Sequence, residues 1–460
     1  MSGNARAAIG FGVVAAALLS IGLGQSWSVS LAVLNLCLIS AVMALGVNIQ
    51  WGYAGLFNVG TMAFAALGGL AAVVVSQPPV HEAVSAGGAS LLLAAGVACL
   101  TVALIWLACQ RLPAGALRTA AVAVAALVGY FSISAFFNPA VEAIEAIDPS
   151  STGYLGGLGL PIVMSWAVGG LFAGGAAWAI GRVALGLRAD YFAIATLGIS
   201  EIVIAVLKNE DWLARGVKNV TGLDRPVPYE IGLQRADWFQ DLVHSLNRDR
   251  LAALTESESA ALLRELVVEA SGIFVKLCYA GLFAAVLLVV LLLSERALRS
   301  PWGRMMRAIR DNETAAEALG KDVYRRHMQV FVLGSAVVGV AGAMLVTLDG
   351  QFTPTSYIPL RFTFLIWVMV IVGGSGNNLG AVLGGFIVWL SWIEAEPVAL
   401  WAVATLTAAM APDDPFRVHL VEAAAHVRPI LMGVILLLVM RFTPRGVVPE
   451  TVGRQRPLSS

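Results

Sequence analysis

Apolar and polar positions alternate along this chain on two scales. On the long scale, mostly apolar runs recur near 5–24, 29–50, 53–75, 89–110, 117–137, 162–181, 190–207, 273–293, 327–348, 361–374, 379–393 and 426–441. The hydrocarbon core of a bilayer needs about 20 apolar residues per helical crossing. Only a helix or a closed barrel satisfies its own backbone there. The pattern predicts an all-α polytopic transmembrane helical bundle of about 10–12 spans, forming one domain over residues 1–460. Some runs are short or rich in glycine, notably YAGLFNVGTMAFAALGGLAAVVV (53–75) and the pair within 361–393, and are expected to be broken helices or helices that do not cross fully.

On the short scale, two stretches carry helical amphipathicity. In 234–246, Trp238, Phe239, Leu242, Val243 and Leu246 fall at helical spacing. In 255–269, Thr255 and Glu258 form a capping-box pattern ahead of Leu262, Leu263, Leu266 and Val267. Both are expected to lie on one membrane surface, as a packed hairpin or as support for a docked protein. They belong to 208–272, which with 394–425 is read as an insertion on the outer face.

Composition sharpens this picture. Apolar residues make up 58% of the chain and charged residues 13%, a balance no soluble core of this length would need. Formal net charge is zero, so no global field points to nucleic acid. Cys37, Cys99, Cys109 and Cys278 sit inside apolar runs without metal-binding or redox spacing, and are read as small buried hydrophobes. Arg6 before the run Ala7 to Gly24 imitates a signal peptide, but no small-residue cleavage pattern follows, so an uncleaved first helix is expected.

Lys and Arg set the expected orientation. They concentrate in short loops at Arg111 and Arg118, at Arg182 and Arg188, and in 295–327, where eight occur. Short loops rich in Lys and Arg stay in the cytoplasm. Twelve alternating spans put these loops on one face with both termini and a tail carrying Arg441, Arg445, Arg454 and Arg456. A multi-pass membrane protein in contact with lipid, with both termini in the cytoplasm, is the expectation.

The densest polar interruption is RAIRDNETAAEALGKDVYRRH, residues 307–327. Arg304, Arg307 and Arg310 recur every third residue and share one side of a helix. Thr314 and Glu317 form a capping-box pattern, and Gly320 stands where a helix ends in a left-handed residue. Two short helices with a break near Asp311 and Asn312 are expected. The second, TAAEAL, presents small side chains that let another protein's backbone approach. The plainer alternative is a solvated loop whose arginines only fix topology.

SPWGRMMRAIRDNETAAEALGKDVYRRHMQVFVLGSAVVGVAGAML (300–344) resembles the cytoplasmic loop and following span of the branched-chain amino acid ABC-importer permeases of the LivM type. Three further blocks agree in order: WGYAGLFNVG (51–60), LRADYFAIATLGISEIVIAVLKN (187–209) with VTG (220–222), and VVGGSGNNLGAVLGGF (371–386). The resemblance implies that Arg304, Arg307, Arg310, Glu313, Ala315, Ala316, Glu317 and Gly320 form the docking loop for a cytoplasmic ATPase. Ala315, Ala316 and Gly320 match the importer signature E-A-A-x3-G, whereas Thr314 replaces its glutamate. The resemblance further implies a homologous permease subunit, two ATPase subunits and an outer solute-binding protein as partners, and no cofactor. The solute implied is a branched-chain amino acid or a similar small amino acid or amide.

Other features refine the reading. No G-x-x-x-x-G-K-[ST] occurs, so ATP hydrolysis by a P-loop within this chain is excluded and it is not read as an enzyme. The run GGSGNNLGAVLGG (373–385) breaks the dinucleotide pattern and joins two apolar runs; its glycines, like Gly170 and Gly174, are expected to allow close helix packing. Glu201 sits mid-span, where a carboxylate lines a solute path or is protonated or hydrogen-bonded between helices. Asn48, Gln50, Asn58 and Thr61 surround the glycine-broken span and are read as part of the translocation pathway. His419, Glu422 and His426 share one face of an expected helix; the spacing suits a metal, and the preferred reading is the polar side of an interfacial helix with no metal. Two rival functions stand beside the importer: an ion-coupled secondary transporter, which would need more charges within the membrane than Glu201, and a polytopic membrane enzyme built around Asp413, Asp414 and the His419 group.

Overall fold

The computed structural model describes residues 3–148, 152–411, 413–424 and 426–450. Its helices, in chain order, are α1 (Gly3–Gly24), α2 (Trp27–Ala54), α3 (Thr61–Ser76), α4 (His81–Arg111), α5 (Ala116–Glu145), α6 (Met164–Ala184), α7 (Ala189–Asn209) and α8 (Asp237–Leu246). They continue with α9 (Glu256–Arg299), α10 (Pro301–Asp311), α11 (Glu313–Ala318), α12 (Val323–Asp349), α13 (Pro359–Gly373), α14 (Asn378–Leu406), α15 (Pro415–Ala424) and α16 (Val427–Phe442). Among the described residues nine helices are long and apolar enough to cross a membrane, and the bent pair α15–α16 would make a tenth if it is one span. The short apolar helices α3 and α13 complete the twelve predicted runs. The chain is thus an all-α polytopic bundle with short and broken members.

Helix α2 is the axis of the bundle. It packs against α1, α9, α12, α13 and α14, and nearly all of it from Val33 to Ala54 is buried. Around it, α3, α6 and α12 cross at backbone contact. A β-carbon added to Gly68 would overlap the Gly339 carbonyl, one on Gly339 would overlap Gly169, and one on Gly342 would overlap Ala65. Between helices in lipid there is no hydrophobic driving force, so close approach through small residues supplies the dispersion contacts that hold them. The expected Gly380 and Gly384 pair does the same for α13 against α14, where Gly384 meets the Met369 carbonyl. Gly170 and Gly174 are looser: a β-carbon added there would lie 3.1 Å and 3.5 Å from side chains of α12, whereas one on the adjacent Gly169 would meet the backbone of Gly339 and Gly68 at 3.1 Å.

Several boundaries differ from the sequence expectation. Helix α2 runs through Trp51 to Ala54, so the break lies at 55–60 and the span expected at 53–75 begins only at Thr61. The expected helix 255–269 does not lie on the surface. It is the first part of α9, a single helix of 44 residues. Only Ser271 and Gly272 separate the amphipathic and apolar parts, and one interior Gly costs about 1 kcal/mol relative to Ala, too little to end a helix. At 1.5 Å per residue α9 is about 66 Å long, more than twice the roughly 30 Å of hydrocarbon. Its N-terminal third therefore projects beyond the membrane. The capping box is present, with the Glu258 carboxylate accepting from the Thr255 N–H at 3.2 Å.

Phe239 and Val243 of α8 are buried against α9, with Phe239 and Phe274 ring centroids 5.8 Å apart. The helix expected from 234 starts only at Asp237, because Ala236 adopts an extended conformation. Helix α14 continues to Leu406, so the first part of the expected 394–425 insertion prolongs a span. Two residues of strand, β1 (Val220–Thr221) and β2 (Gln351–Phe352), pair antiparallel beyond the end of α12. Helix α15 ends at Ala424 and His426 caps the bent helix α16, so His419, Glu422 and His426 do not share one helix face.

Replacing Gly68 or Gly342 by Leu should abolish the yield of monodisperse protein in detergent. Gly281→Ala, at an open position, should leave yield and melting temperature within about 2 °C of wild type, because surface changes stay within roughly 0.5 kcal/mol.

Candidate functional site

Two of the basic loops come together. Leu185 and Leu187, from the loop between Arg182 and Arg188, line one cavity of about 170 Å³ with Ile309, Arg310 and Glu313. Arg445 lines a neighbouring one of about 850 Å³ with Arg310, Gly52 and Glu450. Arg454 and Arg456 lie outside the described residues. This charged face is built on α10. Pro301 opens α10, Gly303 packs on the Leu298 backbone, and Met306 and Ile309 are fully buried. The Trp302 indole donates to Gln329 of α12 at 3.1 Å, and Arg326 donates to the same oxygen at 3.0 Å.

The three arginines have different fates. Arg304 is exposed and donates to the Arg299 carbonyl at 3.2 Å. Arg307 turns inward, donating to the Leu298 carbonyl at 3.0 Å and lying 4.0 Å from the Glu450 carboxylate. Arg310 pairs with Glu450 at 3.0 Å and with Asp311 at 3.1 Å, and donates to the Gly52 carbonyl at the end of α2. The segment before Glu450 lies along the turn between α13 and α14: Val447 N–H donates to the Val372 carbonyl at 2.9 Å, and Val448 N–H to Gly373 at 2.9 Å. The glycine run 373–385 is thus a tight helical turn and a seat for this tail. Asn378, at the start of α14, donates to Glu295 at 3.1 Å. Glu450, Glu295 and Asn378 carry no local signal in the sequence, since their partners lie far along the chain.

Above this base, α11 stands out from the fold. Asn312 caps it, its side chain accepting from Ala315 N–H at 2.9 Å. The expected cap, Thr314, is inside the helix instead, because the Asp311–Asn312 break lets Asn312 take extended geometry and cap two residues earlier. Gly320 adopts φ +74° with open space around it, as expected for a helix stop. Ala316 packs downward, whereas Glu313, Thr314, Ala315 and Glu317 face outward. Leu319 is 78% exposed, an apolar side chain held out by a short ordered helix.

The residues around the broken span are also brought together, as a buried hydrogen-bond network. Gln50 donates to the Phe331 carbonyl and to Ser335 of α12, both at 3.0 Å, and accepts from Asn58 at 2.9 Å. Asn58 in turn accepts from Gly60 N–H at 2.9 Å, and its carbonyl receives the Trp367 indole at 3.1 Å. Asn48 accepts from Gly376 N–H at 2.9 Å and donates to Asn378 at 3.0 Å. From α7, Thr196 accepts from Val59 N–H and Ser200 from Ala63 N–H, each at 3.1 Å. Backbone left open by the break is thereby paired, as a water-free interior demands. Thr61 is buried, and its hydroxyl lacks a hydrogen-bond partner. Glu201 faces out from the bundle, because Thr196 and Ser200 occupy the inward side of α7.

On the opposite face a third cavity, of about 160 Å³, runs between α2, α3, α12, α13 and α14. Tyr357, which lines it, is fully enclosed; burial first and the nearby Asp349 charge second raise its phenol above the usual range, so it stays a neutral hydroxyl.

The family described as "Branched-chain amino acid transport system / permease component" matches residues 29–440. A probable branched-chain amino acid transport permease protein LivM of Methanocaldococcus jannaschii is 28% identical over 172 residues, 37% of this chain and 46% of that relative. The high-affinity branched-chain amino acid transport system permease protein LivM of Escherichia coli is 26% identical over 224 residues, 49% of this chain and 48% of that relative. The xylose transport system permease protein XylH of Escherichia coli is 32% identical over 116 residues, 24% of this chain and 30% of that relative. The chain spans about half the length of the curated LivM relatives it matches, and no solved structure matches it. With a helical bundle and a family match over nearly its whole length, the chain belongs to the branched-chain amino acid transport permease family.

Proposed function

We propose that this chain is the membrane permease subunit of an ATP-binding-cassette importer that carries branched-chain amino acids, or a similar small amino acid or amide, across the inner membrane. The charged face and both termini lie in the cytoplasm. Two ATPase subunits dock on that face, a homologous permease packs alongside, and an outer solute-binding protein delivers the solute. The observation that carries this reading is α11: a short capped helix, anchored below by α10, that holds Ala315, Glu317 and Leu319 out of the fold. Small residues with one exposed apolar side chain suit a helix set into a partner's groove.

The mechanical chain supports the same reading. A displacement of α11 passes to α10, and α10 is tied to α12 through Trp302 and Gln329, to the end of α2 through Arg310 and Gly52, and to the α13–α14 turn through Glu450. Packed helices joined in this way move as rigid bodies. ATPase closure at α11 would therefore shift the helices that surround the central network. Among relatives, the xylose permease likeness keeps other small solutes in play, and the LivM relatives favour amino acids by their printed names.

Ala315→Glu and Leu319→Glu should each lower ATP-driven leucine uptake in proteoliposomes at least about tenfold, the loss expected from a buried unpaired charge at an interface, with ATPase co-purification lost in parallel and monodispersity kept. Normal uptake with the ATPase still bound would overturn the docking role. Glu450→Gln should free the tail. Losing one partner of a half-buried ion pair costs about 1–3 kcal/mol, so trypsin cleavage after Arg445 should accelerate roughly 5- to 150-fold, and an unchanged rate would refute the latch.

A further inference from the structure

The cavity on the face opposite the charged loop has a chemistry of its own. It enters beside the end of α12 and the loop after β2, and follows α2 from Leu36 to Met43, about 10 Å at helical rise. Leu36, Met43, Met62, Leu365 and Met369 make most of its wall apolar. Ser40, Gln351, Ser356 and Tyr357 add polar groups, and three further ones stand out. Asp349 stands at the rim, exposed, and makes no ion pair among the described residues. The Thr353 hydroxyl and the Trp389 indole nitrogen are buried, and neither has a hydrogen-bond partner.

Buried polar atoms are almost always paired, so two unpaired ones lining one cavity point to a missing partner. An indole N–H only donates, hence Trp389 requires an acceptor such as a carboxylate or carbonyl oxygen. Thr353 can donate to the same group. Asp349, a carboxylate with no ion-pair partner among the described residues, is placed at the rim to receive a positive charge. A volume of about 160 Å³ is well below the roughly 300–1,000 Å³ of drug-sized sites, so the occupant is small. We propose that this cavity is the solute-binding site of the permease, taking one zwitterionic amino acid with an aliphatic side chain: Asp349 receives the ammonium, Trp389 and Thr353 the carboxylate, and the methionine- and leucine-lined wall the side chain. This rests on the importer reading and adds to it a site.

The site also explains part of the fold. The Val220–Thr221 strand pairs with Gln351–Phe352, and Leu223 N–H donates to the Gly350 carbonyl at 3.2 Å. That ladder holds the loop bearing Thr353 over the end of α12. Methionine fits the wall because its unbranched thioether adapts to side chains of different shape.

The test uses the complete importer in proteoliposomes, with its partner permease, ATPase and solute-binding protein, and radiolabelled leucine as probe. Trp389→Phe keeps the ring and removes the donor; it and Asp349→Asn should each cut leucine uptake at least about tenfold, as loss of a charge-assisted hydrogen bond does. Asp349→Glu should restore uptake to within about threefold of wild type, and ATPase co-purification should be unchanged in all three. A structural role alone would not be rescued by the longer carboxylate. Leucine uptake by Trp389→Phe and Asp349→Asn equal to that of wild type overturns the assignment and leaves the importer reading standing. Wild-type uptake of xylose in place of leucine also overturns it, since a sugar has no ammonium for Asp349. Absence of any ATP-driven uptake by the wild-type complex overturns the importer reading, and the site falls with it.

Discussion

Gln50 holds the centre of the bundle. A span interrupted in lipid exposes backbone groups that find no water, each costing several kcal/mol if left unpaired. Here the break at 55–60 survives because Gln50 reaches α12 on one side and Asn58 on the other, while Asn58, Thr196 and Ser200 receive the loop's N–H groups. Gly334 and Gly46 let α12 and α2 come close enough for that bond, since a β-carbon on Gly334 would meet the Gln50 side chain. Glycine contacts and amide network are therefore one device. The first sets the spacing and the second fixes the register.

That device stands between the two functional ends of the molecule. On the charged face, half-buried arginines and a glutamate fasten α10, the tail and two helix ends into one body. Only α11 rises from it. On the opposite face, a small cavity with unpaired donors opens beside the end of α12. Trp51, Phe57 and Trp367 stack edge to face, with centroids 4.5 to 5.6 Å apart, against the same broken segment. Helices α2, α12 and α13 touch both ends, so a rigid shift at one is felt at the other.

Two further parts of the molecule lie outside this core. The α4–α5 pair is apolar nearly all round and only 6% of each spanning stretch is buried, as expected of helices facing lipid. The projecting third of α9, braced by α8, extends away from the membrane on the face that bears the cavity mouth. Neither disturbs the packing of α3, α6 and α12.

Much of the architecture was written in local pattern, because lipid imposes one length and one backbone solution on every crossing. All twelve apolar runs became helices, the polar interruption became two short helices broken at Asn312, and Gly320 took the left-handed turn its position suggested. Caps and helix stops depend on neighbours within a few residues, so they are legible; even so, Asn312 displaced Thr314 as cap once the chain's true path set the break. What sequence could not supply was orientation around each helix. Arg307 and Arg310 read as one basic side of a helix whose direction was open, and they turn in to Glu450, a partner that only folding brings near. Asn48, Gln50 and Asn58 were recognisable as a cluster, but whether they faced a cavity or one another depended on helix crossings fixed by glycine contacts distant in the chain. Glu201 shows the same limit, being mid-span by pattern and outward by packing. Periodicity determined which segments enter the membrane; tertiary contact alone decided which side of each segment meets protein, because the energy that chooses that side comes from residues far apart in sequence.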